Sequence, residues 1–336
     1  MDNLDLRVLA DALQWRKAGH AVTLVTVVET WGSAPRPPGA LLAVRDDGAV
    51  SGSVSGGCVE DDLIAQTKAL QHKDSTMSSL PNMLAYGVSK EEATRFGLPC
   101  GGTLRLVREP LLDTAWVEEL LDRTARHELV ARQLTLATGN VQLMPAMRGQ
   151  AMHFDGSVLT CALGPKWRLL LIGAGQLSQA VAQMARMLDF EVLVCDPREE
   201  YINTLRMDGV SRVMGMPDDA VRALGPDAHT AIVALTHDPK LDDMALLEAL
   251  ISDAFYVGAL GSRRNQAARK QRLAEHFDMP PEALDRLHGP VGLSLGAKTT
   301  AEIAVSIVAH LVQAKNLNQT AVPATAADRP GCEIQL

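Results

Sequence analysis

The chain opens with apolar residues at helical spacing, Leu6, Leu9, Ala10 and Leu13, which predict a helix over 4–17. A Val- and Thr-rich run predicts a strand over 21–30, and a Pro/Gly loop follows over 31–39. Segments 41–44 and 50–54 flank Asp47-Gly48 and read as a hairpin. Val59, Leu63, Ala65, Ala69 and Leu70 fit a helix, and the polar stretch 75–79 reads as loop. A turn over 97–102 leads into an alternating strand at 103–107, then a helix within 112–126. Strand-like segments follow at 129–138 and 151–161, the second turning at Asp155-Gly156. This half of the chain is expected to be mixed α+β.

Gly164-Pro165 breaks the pattern, and the texture then becomes strand, glycine turn, helix and strand in repetition. Strands are predicted at 168–172, 191–195, 231–235 and 255–257, and a last long helix at 300–314. Such alternation calls for parallel strands covered on both faces. The expected fold class is therefore α/β: a mixed α+β N-terminal domain over 1–163, then a Rossmann-type parallel-sheet domain over 164–317. Residues 318–336 are polar and rich in Pro and Ala, and are expected to form a disordered tail.

The 336 residues suit two domains at roughly 150 residues each. A net charge of −8 with no long Lys/Arg run argues against nucleic acid and anionic membrane surfaces as partners. The N-terminus lacks a basic segment followed by an apolar one, and no apolar run approaches the ~18 residues of a membrane helix. Five cysteines, an odd and sparse set, fit a reducing cytoplasm better than a disulfide framework.

The strongest chemical signal is the apolar strand 169–172 followed by Gly173-Ala174-Gly175-Gln176-Leu177-Ser178 and a helix. The first glycine permits a tight turn. The second lets a phosphate approach the backbone at a helix N-terminus. Ser178 replaces the third glycine and is small enough for close helix–strand packing. Asp196 ends the next strand 21 positions after Gly175, where a carboxylate can accept from a ribose diol. Asp196 favours a free ribose hydroxyl over a 2′-phosphate, and Arg198, two residues on, blurs that choice. Thr236-His237-Asp238 and Gly258-Ala-Leu-Gly261-Ser262-Arg263-Arg264 also follow predicted strands. Ser262 either caps a helix beside solvated arginines, or joins Arg263 in meeting an anion.

Two cysteines stand beside glycines. Gly56-Gly57-Cys58 opens a helix, where free N–H donors favour negative charge and the carboxylates of Glu60, Asp61 and Asp62 oppose it. Pro99-Cys100-Gly101-Gly102 precedes a strand. Neither a CxxC nor an HxxxH accompanies them, so a structural zinc site is not indicated. On spacing alone they are either small buried hydrophobes or a functional thiol pair.

Several ordered segments together resemble the XdhC/CoxI family of molybdenum-enzyme maturation factors. They are Gly32-Ser-Ala-Pro-Arg-Pro-Pro-Gly39, Gly52-Ser-Val-Ser-Gly-Gly-Cys58-Val-Glu60 and Cys100-Gly101-Gly102 in the first half. The second half adds Cys195-Asp196-Pro-Arg198, Tyr256-Val-Gly258-Ala-Leu-Gly261-Ser-Arg263-Arg264, His288-Gly289-Pro290-Val-Gly292-Leu and Glu302-Ile-Ala304-Val-Ser306-Ile. The chain departs from the family pattern at Pro99, where a glycine is usual, and at Ala301, where a proline is usual.

The resemblance implies a chaperone rather than an enzyme. Such a protein binds molybdenum cofactor, as molybdopterin or its cytosine dinucleotide, and assists its sulfuration with a cysteine desulfurase. It then delivers the cofactor to the large subunit of a molybdenum hydroxylase of the xanthine dehydrogenase or aldehyde oxidoreductase type. A homodimer is a further family expectation. On this reading Cys58 and Cys100, with Gly56, Gly57, Gly101 and Gly102, meet the metal end of the cargo. Gly173, Gly175, Asp196, Arg198, Ser262 and Arg263 meet its phosphate-bearing end. The alternative is an NAD(P)-dependent oxidoreductase, which the Rossmann signature supports directly, although no paired Tyr and Lys at helical spacing stands out.

Overall fold

The computed structural model describes residues 3–30, 36–71, 80–87, 103–147 and 149–320. The chain divides into two compact units, Met1–Pro165 and Lys166–Leu336.

The first unit is built on two antiparallel sheets. Strands β1 (Val22–Thr30), β2 (Leu41–Arg45), β3 (Val50–Gly52), β4 (Asn82–Tyr86) and β5 (Leu104–Pro110) form one, in the order β3-β2-β1-β5-β4. Strands β6 (Val130–Thr135), β7 (Asn140–Pro145), β8 (His153–Phe154) and β9 (Val158–Leu163) form the other, in the order β7-β6-β9-β8. Central strand β1 is buried on both faces. Leu24 and Val28 join a core with Leu6, Val8, Leu9 and Ala12 of helix α1 (Asn3–Lys17). That core also takes Val117 and Leu120 of α3 (Ala115–Ala125) and Leu134 and Leu159 of the second sheet. On the opposite face Val25 and Val27 pack with Val59 and Leu63 of helix α2 (Cys58–Gln71). The expected hairpin at Asp47-Gly48 is present: β2 pairs with β3, and Gly48 takes a φ of +93°.

The second unit is a six-stranded, all-parallel sheet. Its strands are β10 (Arg168–Ile172), β11 (Glu191–Cys195), β12 (Val210–Val213), β13 (Thr230–Ala234), β14 (Tyr256–Ala259) and β15 (Leu287–His288). Their order, β12-β11-β10-β13-β14-β15, is the doubly wound order of dinucleotide-binding folds, reversing direction between β10 and β13. Every residue of β10 is buried. Leu169 and Leu171 pack with α4 (Gln176–Met187) and α10 (Thr300–Thr320), while Leu170 and Ile172 pack with α7 (Pro239–Ile251) and α8 (Arg263–Phe277). That two-sided burial is why the strand reads as an unbroken apolar run. Shorter helices α5 (Glu199–Ile202), α6 (Pro217–Leu224) and α9 (Pro281–Asp285) complete the crossovers.

Helix α10 continues past the predicted end at 314, so 318–320, expected in the tail, are helical. No Gly or Pro interrupts the sequence before Pro323, so nothing stops the helix earlier. Residues 321–336 lie outside the described residues. No helix among the described residues is long and apolar enough to cross a membrane.

Candidate functional site

The reversal of strand order leaves a crevice at the carboxyl ends of β10 and β13, and the turn 173–175 lies there. Gly173 has a φ of +101°, and its N–H donates to the Cys195 carbonyl at 2.7 Å. A Cβ at Gly173 would come within 3.0 Å of Thr236, so both conformation and space demand glycine. Gly175 is different. It is the N-cap of α4, with φ −72° and ψ 179°, a conformation open to any residue, and no side chain caps the helix. A Cβ there would meet nothing within 4 Å. Nothing among the described residues requires glycine at this position, and open space above a helix start is what an approaching phosphate needs. Ser178 is fully buried, its hydroxyl unpartnered among the described residues.

Asp196 lies fully buried at the end of β11. Its Oδ2 accepts from the Ala174 N–H at 2.8 Å and from Arg198 Nη2 at 2.9 Å. Its Oδ1 accepts from the Arg198 N–H at 3.0 Å and Nε at 2.9 Å. Burial raises the Asp196 carboxyl, but these bonds outweigh it and hold the group below its usual range. The predicted ribose acceptor is thus already saturated by the protein. It fastens the glycine turn to Arg198, whose guanidinium also lies over the Tyr201 ring at 4.0 Å.

A buried polar network stiffens the neighbouring loops. Thr236, which packs on Gly173, donates its N–H and hydroxyl to Asp242 Oδ1 at 3.1 and 2.7 Å. Asp242 Oδ2 accepts from Arg269 Nη2 at 3.0 Å, and Arg269 Nε reaches Asp243 at 3.1 Å. Arg269 Nη1 donates to the Leu260 carbonyl at 3.2 Å, tying in the loop after β14. Ser262 is the N-cap of α8, its Oγ accepting from the Asn265 N–H at 3.1 Å. Arg263 is exposed at the first turn of that helix.

In the first unit, Cys58 is exposed at the first position of α2. The loop before it folds around one carboxylate. Glu60 accepts from the N–H groups of Val54, Ser55, Gly56 and Gly57 at 2.8–2.9 Å, and from the hydroxyls of Ser53 and Ser55. Burial pulls the Glu60 carboxyl up, but these donors overcome it and bring the group down to about 2. Gly56 takes a φ of +82°, while a Cβ at Gly57 would meet nothing within 4 Å.

Sequence reasoning assigned Glu60 only a charge effect on Cys58 and missed its role in shaping the loop. A Glu three residues after the helix cap is the signal that reveals it. Cys100, Gly101 and Gly102 lie outside the described residues, so the described part of this site holds one of the two predicted thiols. Cys161 and Cys195 are buried, and burial pushes both thiols up to about 12. Among the described residues, no group of three or more His, Cys, Asp and Glu is arranged to hold a metal ion.

Residues 15–81 match the profile of the XdhC and CoxI family, and residues 169–311 match that of the XdhC Rossmann domain. The chain belongs to the XdhC/CoxI family. Among its relatives is the Escherichia coli molybdenum cofactor insertion chaperone PaoD, 27% identical over 92% of this chain and 88% of the relative. Another, from Bacillus subtilis, is named as a probable xanthine dehydrogenase subunit; it is 28% identical over 87% of this chain and 92% of the relative. A solved Bacillus halodurans structure described as a xanthine dehydrogenase superposes with a TM-score of 0.76 at 25% identity. The match covers 96% of this chain and 98% of the other.

Several XdhC/CoxI motif glycines serve packing. A Cβ at Gly52 would strike the Leu41 carbonyl, one at Gly258 the side chain of Val291, and one at Gly292 the Ser306 hydroxyl. The motif residues Tyr256 and His288 stack at 4.4 Å, and Tyr256 Oη lies 2.9 Å from His310 Nδ1. Burial, then the neighbouring His310 and Lys270, lower His288 to about 4.

Proposed function

We propose that this XdhC/CoxI protein is an accessory factor rather than an enzyme. It binds molybdenum cofactor, protects it, assists its sulfuration with a cysteine desulfurase, and inserts it into the large subunit of a molybdenum hydroxylase. The target is of the xanthine dehydrogenase or aldehyde oxidoreductase type, and the setting is cytoplasmic. The observation that carries this reading is the similarity to an insertion chaperone across 92% of the chain, which takes in both units. The local geometry supports it. Gly175 and Gly57 both have open space where a Cβ would stand, and each precedes a helix start. The first suits the terminal phosphate of molybdopterin, which carries no ribose. The second lies beside an exposed sulfur, a soft ligand for a metal–sulfur centre. Cys100 is assigned as the second thiol, with Gly101 and Gly102 clearing space around it.

The test is to purify the chain anaerobically from cells supplied with molybdate and measure bound molybdenum and pterin. Cys58→Ser and Cys100→Ser variants are then compared for metal content and for activation of the target hydroxylase. Bound cofactor in the parent, reduced in either variant, supports the assignment. A parent protein free of molybdenum and pterin, and without effect on the hydroxylase, rejects it.

A further inference from the structure

The carboxyl end of β11 is rich in donors where its sequence suggested an acceptor. In dinucleotide-binding folds that take a free ribose diol, a carboxylate at the end of this strand accepts its hydroxyl protons. Each oxygen of Asp196 already accepts two hydrogen bonds, from Ala174 and from Arg198, which fills the lone-pair directions of both. Asp196 is also fully buried, with no surface left to present. What reaches solvent is Arg198, whose side chain is 30% exposed. One edge of its guanidinium is committed to Asp196 and one face to Tyr201, so among the described residues its Nη1 edge remains for a ligand. The Asp196 pair keeps this fork in place before anything binds. A second acid near Arg198, Asp238, caps α7 by accepting from the Lys240 N–H at 2.9 Å and keeps its negative charge. Such a fork matches a phosphate and offers a free diol only donors.

We propose that the turn 173–175 selects a dinucleotide whose ribose carries a phosphate over the same dinucleotide with a free ribose diol, and that Arg198 is the residue that selects. The inference rests on the ligand-binding role of this turn given above, and is independent of metal handling at Cys58. NADPH and NADH are the matched probes, since they differ by that one phosphate. Fluorescence titration of the full chain should give NADPH binding at least about tenfold tighter than NADH, with the difference shrinking as salt is added. Arg198→Gln, which keeps a donor for Asp196 but loses the charge, should bring NADPH down to the NADH level. Adenosine 2′,5′-bisphosphate should displace NADPH far better than adenosine 5′-phosphate.

Equal or tighter binding of NADH overturns the proposal. So does selectivity that survives in a folded Arg198→Gln protein, or the absence of binding by either dinucleotide at millimolar concentration. Molybdenum content measured on the same preparations judges the cargo role separately.

Discussion

Two of the described helices start one residue after a glycine, and they are finished in opposite ways. At the start of α2 the amides of 54–57, in the approach loop and its last glycine, converge on Glu60 in the first turn of the helix. At the start of α4 no side chain serves as a cap, and the one turn amide held by a carboxylate, that of Ala174, belongs to the approach rather than to the helix. Both starts have an open side, at Gly57 and at Gly175. One loop carries its own anion and uses the resulting rigidity to display a sulfur. The other carries Asp196 on its approach and leaves the helix start itself without a capping side chain. Glycine-rich sequence before a helix therefore does not by itself mark a phosphate site; what fills the amides decides.

The largest expected effect is on the open start. Gly175→Val should lower affinity for phosphate-bearing ligands by about a hundredfold or more. It should leave urea stability nearly unchanged, because no neighbour lies within 4 Å of the new Cβ. Equal losses in binding and stability would show that Gly175 is a packing residue after all. Its partner in the turn should behave the other way. Gly173→Ala introduces a Cβ at a φ of +101° against Thr236 and should cost about 1–3 kcal/mol in urea unfolding.

At the closed start, Glu60→Gln replaces an acceptor with an amide whose NH₂ faces N–H donors. It should destabilise the first unit by about 1–3 kcal/mol. Glu60→Ala should do the same, but with partial recovery in sulfate beyond that of the parent, because the emptied amides accept an external anion. An Ala variant that gains nothing from sulfate would break the comparison.

The smallest effect separates the two units by pH. Glu60 is held near 2, below its ordinary 4.5, so its contribution is complete above about 4.5 and is lost as pH falls through 2. His288 is held near 4, below its ordinary 6.5, so the unfolded chain takes up protons first. Stability from burying neutral His288 is therefore complete above 6.5 and declines as pH falls toward 4. Acid titration followed by amide exchange should loosen the Tyr256–His288 region before the loop at 53–57.

The central strands were legible because burial imposes a pattern on them. Strand β1, covered on both faces, and β10, buried at every residue, read as Val-rich or Leu-rich runs. The strands that sequence reasoning passed over, β4, β7, β12 and β15, all lie at sheet edges. An edge strand such as Val210–Val213, partly exposed along its length, needs little apolar sequence to hold its place. The glycine turn was legible for the same reason as the strand before it, since Gly173 is fixed by local geometry. The saturation of Asp196 was not. It depends on the Ala174 N–H reaching Asp196 and on the Arg198 side chain folding back over Tyr201, neither of which spacing reveals.

The contact between Thr236 and Gly173 also bears on the rate of ligand exchange. Thr236 is anchored through Asp242 to Arg269, so the floor of the crevice is set when the protein folds. A ligand arriving there triggers no ordering of the turn, and one departing need not wait for it to loosen. Residence time is then governed by the strength of a few phosphate contacts, and occupancy follows concentration closely. For the carrier role proposed above, such a stiff turn would favour release on demand.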